Sequence, residues 1–255
     1  MILFVFVGKK REPLLFKTLE YLFFSKKGSS IVCSFGNNIY ALYKQLSEMG
    51  NDGDLVSVLR ERFQEMEENP LRNVSKSSDF SEIYLFFDYD FHDKNISLSL
   101  INSQMREMLS YFDNETDNGK LYINYPMVES IRYTKKLPDV NYCKYVVQRE
   151  KCCNFKNIVQ KFSNYGSLDF ILIDHRKPIK KEKEYCVRKN WQYLRKQNVL
   201  KANYICHEEN LFPDNKDRIA QKIIFEAQLQ KYVNTECCSV AILNAFPIFL
   251  YEYFK

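Results

Sequence analysis

The sequence contains no C-x-x-C pair, no H-x3-H pair and only three histidines. Those are the spacings with which structural zinc sites hold their ligands. Zinc is therefore not expected, although there are eight cysteines and two adjacent pairs, Cys152-Cys153 and Cys237-Cys238. A Walker A glycine loop is also missing, so the chain is not expected to hydrolyse nucleotide by itself. The longest apolar run, Val240–Tyr251, contains Asn244 and Pro247 and falls short of the roughly 20 residues a membrane helix needs. A secretory leader is not expected either, because the apolar Met1–Phe6 is followed by cations rather than preceded by them. These absences predict a cytoplasmic protein with no membrane contact and with cysteines kept as reduced thiols. There is no internal repeat and no low-complexity tract.

What is present describes a folded chain. Of its 255 residues, 45% are hydrophobic and 27% charged, and 18 Tyr and 20 Phe rule out a disordered composition. Charge is unevenly spread. Residues 1–130 hold 14 Lys/Arg against 19 Asp/Glu, a net −5, whereas residues 131–255 hold 23 against 13, a net +10. A basic half of this kind faces an acidic partner, and nucleic acid is the first choice.

Periodicity predicts an α/β protein. Ile2–Val7 is an apolar run of strand length, closed by Gly8 and the basic turn Lys9-Lys10-Arg11. Pro13 suits the first turn of a helix, and Leu14, Leu15, Thr18, Leu19, Leu22 and Phe23 follow at helical spacing. Ser30–Phe35 reads as a second strand and Ile39–Met49 as a second helix. Asn51–Phe80 is a polar excursion with a charged helix at Leu55–Glu68. Glu82–Phe87 is a third strand, Ser103–Phe112 a helix and Lys120–Tyr125 a fourth strand. Short apolar strands alternating with helices make a mainly parallel sheet flanked by helices. Beyond Glu129 the pattern loosens into a basic, mostly helical region. Asp169–Ile173 reads as a strand, Glu182–Gln197 and Asp214–Asn234 as helices, and Ser239–Phe254 as an apolar helix kinked at Pro247. The expected division is a core over 1–130 and a helical extension over 131–255.

Functional groups of open α/β sheets collect beyond the carboxyl ends of strands. Here the first strand ends in Val7-Gly8-Lys9-Lys10-Arg11-Glu12-Pro13, the third in Asp88-Tyr89-Asp90 and the fourth in Tyr125-Pro126-Met127-Val128-Glu129. Two carboxylates two residues apart at a strand end can share one hard cation, because Mg²⁺ takes one or two protein carboxylates together with phosphate oxygens. The plain alternative is that Asp88, Asp90 and Asp93 are turn carboxylates in water. His92 next to them reads as a solvated loop histidine, and His175 and His207 carry no functional signal.

Strand, glycine turn, helix, strand, helix and a strand ending in D-x-D resemble the Toprim domain. The run Gly8-Lys9-Lys10-Arg11-Glu12-Pro13 followed by Phe16 is similar to the first motif of the RloB, OLD and abortive-infection type of Toprim nuclease, where the strand normally ends E-G-x-x-x-E-P. Asp88-x-Asp90 resembles the second motif and Pro126-x-x-Glu129 the element after the next strand. The resemblance spans about residues 1–130. It implies a metal-dependent phosphodiester nuclease acting as effector of a bacterial anti-phage system. Mg²⁺ or Mn²⁺ is then held by Asp88 and Asp90, with Glu12 and Glu129 as further carboxylates. The resemblance also implies an ABC- or SMC-like ATPase subunit as partner and admits a homodimer. DNA, messenger RNA and transfer RNA all present the phosphates such a site would cut.

Val7 stands where that family carries its catalytic glutamate. Valine neither binds a cation nor relays a proton. Either the chain is a natural pseudo-nuclease, or the residue is a substitution that silences a toxic enzyme, or Val7 is simply a strand residue of an unrelated α/β protein. The other motif elements are intact, which favours silencing. The alternative function is a non-catalytic Toprim-fold subunit that binds an ATPase partner or nucleic acid. A primase-like or topoisomerase-like fragment is disfavoured, since no zinc ribbon or Tyr-bearing cleavage domain accompanies the motifs.

Arg176–Lys201 holds ten basic residues and two acids in 26 positions. Lys177, Lys180, Lys181, Arg188 and Lys189 are the expected nucleic-acid contacts, together with Lys9 and Lys10 of the first turn. Tyr185, Trp191 and Tyr193 are interleaved and available for stacking on bases. The competing reading is an amphipathic helix with a solvated basic face.

Overall fold

The computed structural model of the protein describes residues 1–24, 30–50, 54–64, 69–164, 170–171 and 179–254. The strands are β1 (Ile2–Phe6), β2 (Ser30–Ser34), β3 (Glu82–Asp88), β4 (Asp113–Asn114), β5 (Gly119–Asn124), β6 (Val146–Gln148) and β7 (Ser239–Ala241). The α-helices are α1 (Arg11–Phe23), α2 (Ile39–Met49), α3 (Leu55–Phe63), α4 (Leu98–Tyr111), α5 (Arg149–Cys152), α6 (Phe155–Phe162), α7 (Lys181–His207), α8 (Gln221–Gln228) and α9 (Ala245–Tyr253). The protein is α/β, with a mostly parallel five-stranded sheet flanked by helices. Residues group into two compact units, the first made of 1–13, 26–88 and 94–122, the second of 14–25, 89–93 and 123–255.

The first unit carries the sheet, in the order β2-β1-β3-β5-β4. β1 lies between β2 and β3 and runs parallel to both, with Phe6 opposite Ser34 and Phe86. A strand buried on both faces is apolar throughout, which is why β1 reads as a continuous hydrophobic run. Aromatic pairs lock neighbouring strands: Phe4 stacks on Tyr84 at 5.4 Å, Phe6 meets Phe86 at 5.3 Å, and Phe86 stacks on Tyr122 at 5.4 Å. Gly119, at φ 114°, opens β5 where a Cβ would lie 2.8 Å from Leu85 Cδ1, so no side chain fits. Helix starts are capped as the sequence allows. Asn38 Oδ1 accepts from Ala41 N at 2.9 Å, and Ser97 Oγ accepts from Leu100 N at 3.2 Å.

The second unit is built around α7, which packs on α8 and α9. Its interior is bridged by buried amides. Asn198 Oδ1 accepts from Tyr142 Oη at 2.8 Å and from Asn244 N at 2.9 Å, and Gln228 forms paired bonds of 2.8 and 2.9 Å with the backbone of Ala241. β6 and β7 form a two-stranded antiparallel ribbon.

Several elements differ from expectation. Ser239–Phe254 is not one kinked helix. Ser239–Ala241 pairs with β6, Asn244 then caps a new helix through Phe246 N at 3.1 Å, and Pro247 sits in the first turn of α9 rather than at a kink. Proline is tolerated there because a first-turn N–H has no helical partner. Asp214–Asn234 breaks into the 3₁₀ turn Lys216–Ile219, α8 and the π turn Leu229–Val233. α4 starts at Leu98, five residues earlier than the periodicity indicated, and α7 runs to His207, ten residues beyond Gln197. The strand expected at Asp169–Ile173 lies mostly outside the described residues, as do residues 65–68 of the charged helix.

Candidate strand-end site

Parallel pairing puts the ends of β1 and β3 side by side. Val7 follows β1 and remains tied to both neighbours: its N–H donates to Phe86 O at 3.2 Å and its carbonyl accepts from Gly36 N at 2.8 Å. Asp88 closes β3 and is buried. Val7 and Asp88 therefore lie at the same carboxyl edge of adjacent strands. Glu12, in the first turn of α1, is buried at 4% exposure and its Oε1 accepts from Gly8 N at 3.2 Å. A Cβ on residue 8 would stand 2.5 Å from Glu12 Oε2, so this return of the carboxylate onto the loop requires glycine. Lys9 and Lys10 are exposed.

Two residues after Asp88, in the second unit, Asp90 takes a left-handed conformation at φ 46°. Its N–H donates to Pro126 O at 3.4 Å, and its carbonyl accepts from Asp93 N at 2.9 Å. Tyr89 and Phe91 anchor this turn, both fully buried and stacked at 5.1 Å. Arg149 fastens the far side, with Nε donating to Phe91 O at 2.7 Å and a terminal nitrogen to Asp93 O at 3.1 Å. Desolvation first, then the charges of Asp93 and Glu129, push the Asp90 carboxyl up to about 6; the Lys156 ammonium opposes them. Glu129 lies in the 3₁₀ turn Val128–Arg132 and is buried, with its Oε1 3.6 Å from Lys156 Nζ. His92 is driven toward its neutral form mainly by desolvation, and its Nδ1 is buried without a hydrogen-bond partner among the described residues.

Sequence reasoning found Asp88, Asp90, Glu12 and Glu129 but missed Lys156 and Arg149. Both sit on helices of the loosely patterned half, with no spacing that links them to the D-x-D.

Whether these residues fit a divalent cation can be judged from their surroundings. Val7 offers no donor atom. Glu12 is turned onto Gly8 N–H, Asp90 is held toward its protonated form, and Glu129 faces an ammonium. Among the described residues, no group of three or more His, Cys, Asp or Glu side chains is placed to hold a metal ion. Each in its own surroundings, Val7, Glu12, Asp90 and Glu129 do not suit Mg²⁺ or Mn²⁺ in this sequence. All eight cysteines are free, and burial pushes the thiols of Cys33, Cys152 and Cys206 up to about 12.

The basic segment is divided by its helix. Lys180, Lys181 and Lys189 are exposed. Arg188 is instead engaged, donating to Leu22 O and, at 3.1 Å, to Glu184 Oε1. Trp191 is a core residue whose Nε1 donates to Phe170 O at 3.0 Å. Lys201 is fully buried, with Nζ donating to Tyr142 O at 3.0 Å and Tyr145 O at 2.6 Å. Lys177 lies outside the described residues. No helix among the described residues is long and apolar enough to cross a membrane.

No family model matches the sequence, and neither a curated protein nor a solved structure matches it.

Proposed function

We propose that the chain is the effector nuclease subunit of a bacterial anti-phage, abortive-infection system, and that Val7 silences phosphodiester cleavage in this sequence. The reading is supported above all by one observation: Val7 and Asp88 end adjacent parallel strands at one sheet edge. A glutamate at position 7 would enter that edge beside Asp88, where the Toprim resemblance calls for its catalytic carboxylate. The exposed Lys180, Lys181 and Lys189 suit a nucleic-acid substrate, DNA or RNA including transfer RNA. An ABC- or SMC-like ATPase is the proposed partner, on the resemblance alone.

Val7→Glu tests the reading. Like charges placed close together raise one another's pKa and need a cation to coexist. The variant is therefore expected to be less stable than the parent at neutral pH without metal, to regain stability with Mg²⁺ or Mn²⁺, and to cut DNA or RNA. The same variant carrying Asp88→Ala and Asp90→Ala is expected to be inert. A folded Val7→Glu chain, assembled with its ATPase and triggered, that cuts neither nucleic acid with either metal defeats the nuclease assignment. The non-catalytic subunit then becomes the better description.

A further inference from the structure

We propose that a concave site on α7 binds a nucleobase with its phosphate, the base against aromatic rings and the phosphate on Arg195. The site is a cavity of about 230 Å³ in the second unit, lined by Phe23, Trp191, Gln192, Arg195, Leu250 and Phe254. Pockets for drug-sized ligands run to about 300–1,000 Å³, so this one is sized for a single base.

The lining chemistry selects the ligand. Phe23, partly buried, and Phe254, exposed, supply π-faces on which any base can stack; Trp191 is fully buried and offers none. Among the described lining residues none is acidic, and the charged group is a guanidinium. Arg195 is partly buried and makes no hydrogen bond or ion pair among the described residues. Arg188, 5.5 Å from the Phe23 ring, is by contrast committed to Leu22 O and Glu184. With respect to the described residues Arg195 thus has its fork of donors available, and that fork matches two phosphate oxygens. Gln192 is exposed and likewise makes no bond among the described residues, leaving an amide to donate to and accept from a base edge. An aromatic wall and a guanidinium, with no carboxylate among the described lining residues, favour an anion over a cation.

A free mononucleotide and an unpaired nucleotide of a strand present the same base and phosphate. The choice of a nucleobase over another planar anion rests on the nucleic-acid reading above. Trp191 is the single tryptophan of the chain and lines the cavity, so its fluorescence reports on this site.

The full chain, without added metal, is titrated with adenosine monophosphate, with a short single-stranded oligonucleotide and with inorganic phosphate. A saturable change in Trp191 emission is expected with the first or the second and not with phosphate alone. Tighter binding of the oligonucleotide identifies a strand as the source, and binding of the mononucleotide alone identifies a free nucleotide. Arg195→Met and Phe254→Ala, each checked for a native circular dichroism spectrum, are expected to weaken binding about 10-fold. Arg195→Met should also flatten the log–log salt slope for the oligonucleotide by about 0.7. Lys44→Met, on the exposed face of α2 and outside the cavity, should bind as the parent does. Absence of a saturable change with both nucleotide ligands overturns the proposal, as does undiminished affinity in both cavity variants. The assay involves neither metal nor cleavage, so an inactive Val7→Glu chain would leave a positive result standing.

Discussion

Asp90 shows what a motif residue experiences once it is folded. In sequence it is half of a D-x-D; in the structure it is a desolvated carboxyl among acids, with Lys156 as the opposing charge. Its pKa, pushed from 3.8 to about 6, means the folded chain keeps a proton that the unfolded chain releases. Stability contributed by this group is therefore lost as pH rises from about 4 through about 6, and stays lost above. Asp90→Asn is expected to stabilise the chain at about pH 7.5 by on the order of 1–3 kcal/mol, with the gain vanishing near pH 4. Denaturant unfolding at the two pH values measures it, and a gain independent of pH would contradict the assignment. The carboxylates were legible because motif spacing is local. Lys156 and Arg149 were not, since they reach the turn through tertiary packing.

At the scale of elements, short apolar strands and capped helices were the legible part. Ile39–Met49 has both a capping Asn38 and a terminal Gly50, and its bounds follow from them. The C-terminal apolar run was misread because periodicity cannot separate a buried strand from a buried helix. The length of α7 was hidden by the polar residues it buries, Asn198, Lys201 and Asn203 among them. Lys201 gives this helix a pH signature. Burial pushes its amine down from 10.5 to about 7, so the folded chain releases a proton that the unfolded chain retains. Stability should rise as pH increases above about 7. Relative to Lys201→Met, the parent is expected to gain on the order of 2 kcal/mol between about pH 7 and pH 9. Unfolding curves that keep a constant gap across that range would exclude a deprotonating Lys201. On the exposed side, replacing Lys180, Lys181 and Lys189 with Glu should weaken oligonucleotide binding and flatten its salt dependence. Anisotropy at several salt concentrations checks this; unchanged affinity and slope return the face to a solvated helix surface.

For the whole molecule, the α/β class was readable from strand–helix alternation, but the path of the chain was not. The chain passes between the two compact units at residues 13/14, 25/26, 88/89, 93/94 and 122/123. No local signal marks such crossings: the first cuts α1, the third divides the D-x-D and the last cuts β5. A fragment of residues 1–130 would carry segments 14–25 and 89–93 without most of their unit, and is expected to be insoluble or molten when expressed alone. A sharp, cooperative thermal transition in that fragment would refute this. The ring of Phe24 shows what this path means on the ribosome. Besides Phe16 of α1, its partners are Phe249, Tyr253 and Phe254, more than 220 positions downstream. At about 5–20 residues per second, the apolar end of α1 emerges about 10–45 s before those rings exist. During synthesis that segment is expected to stay exposed for this interval, and slowing translation late in the message would lengthen it.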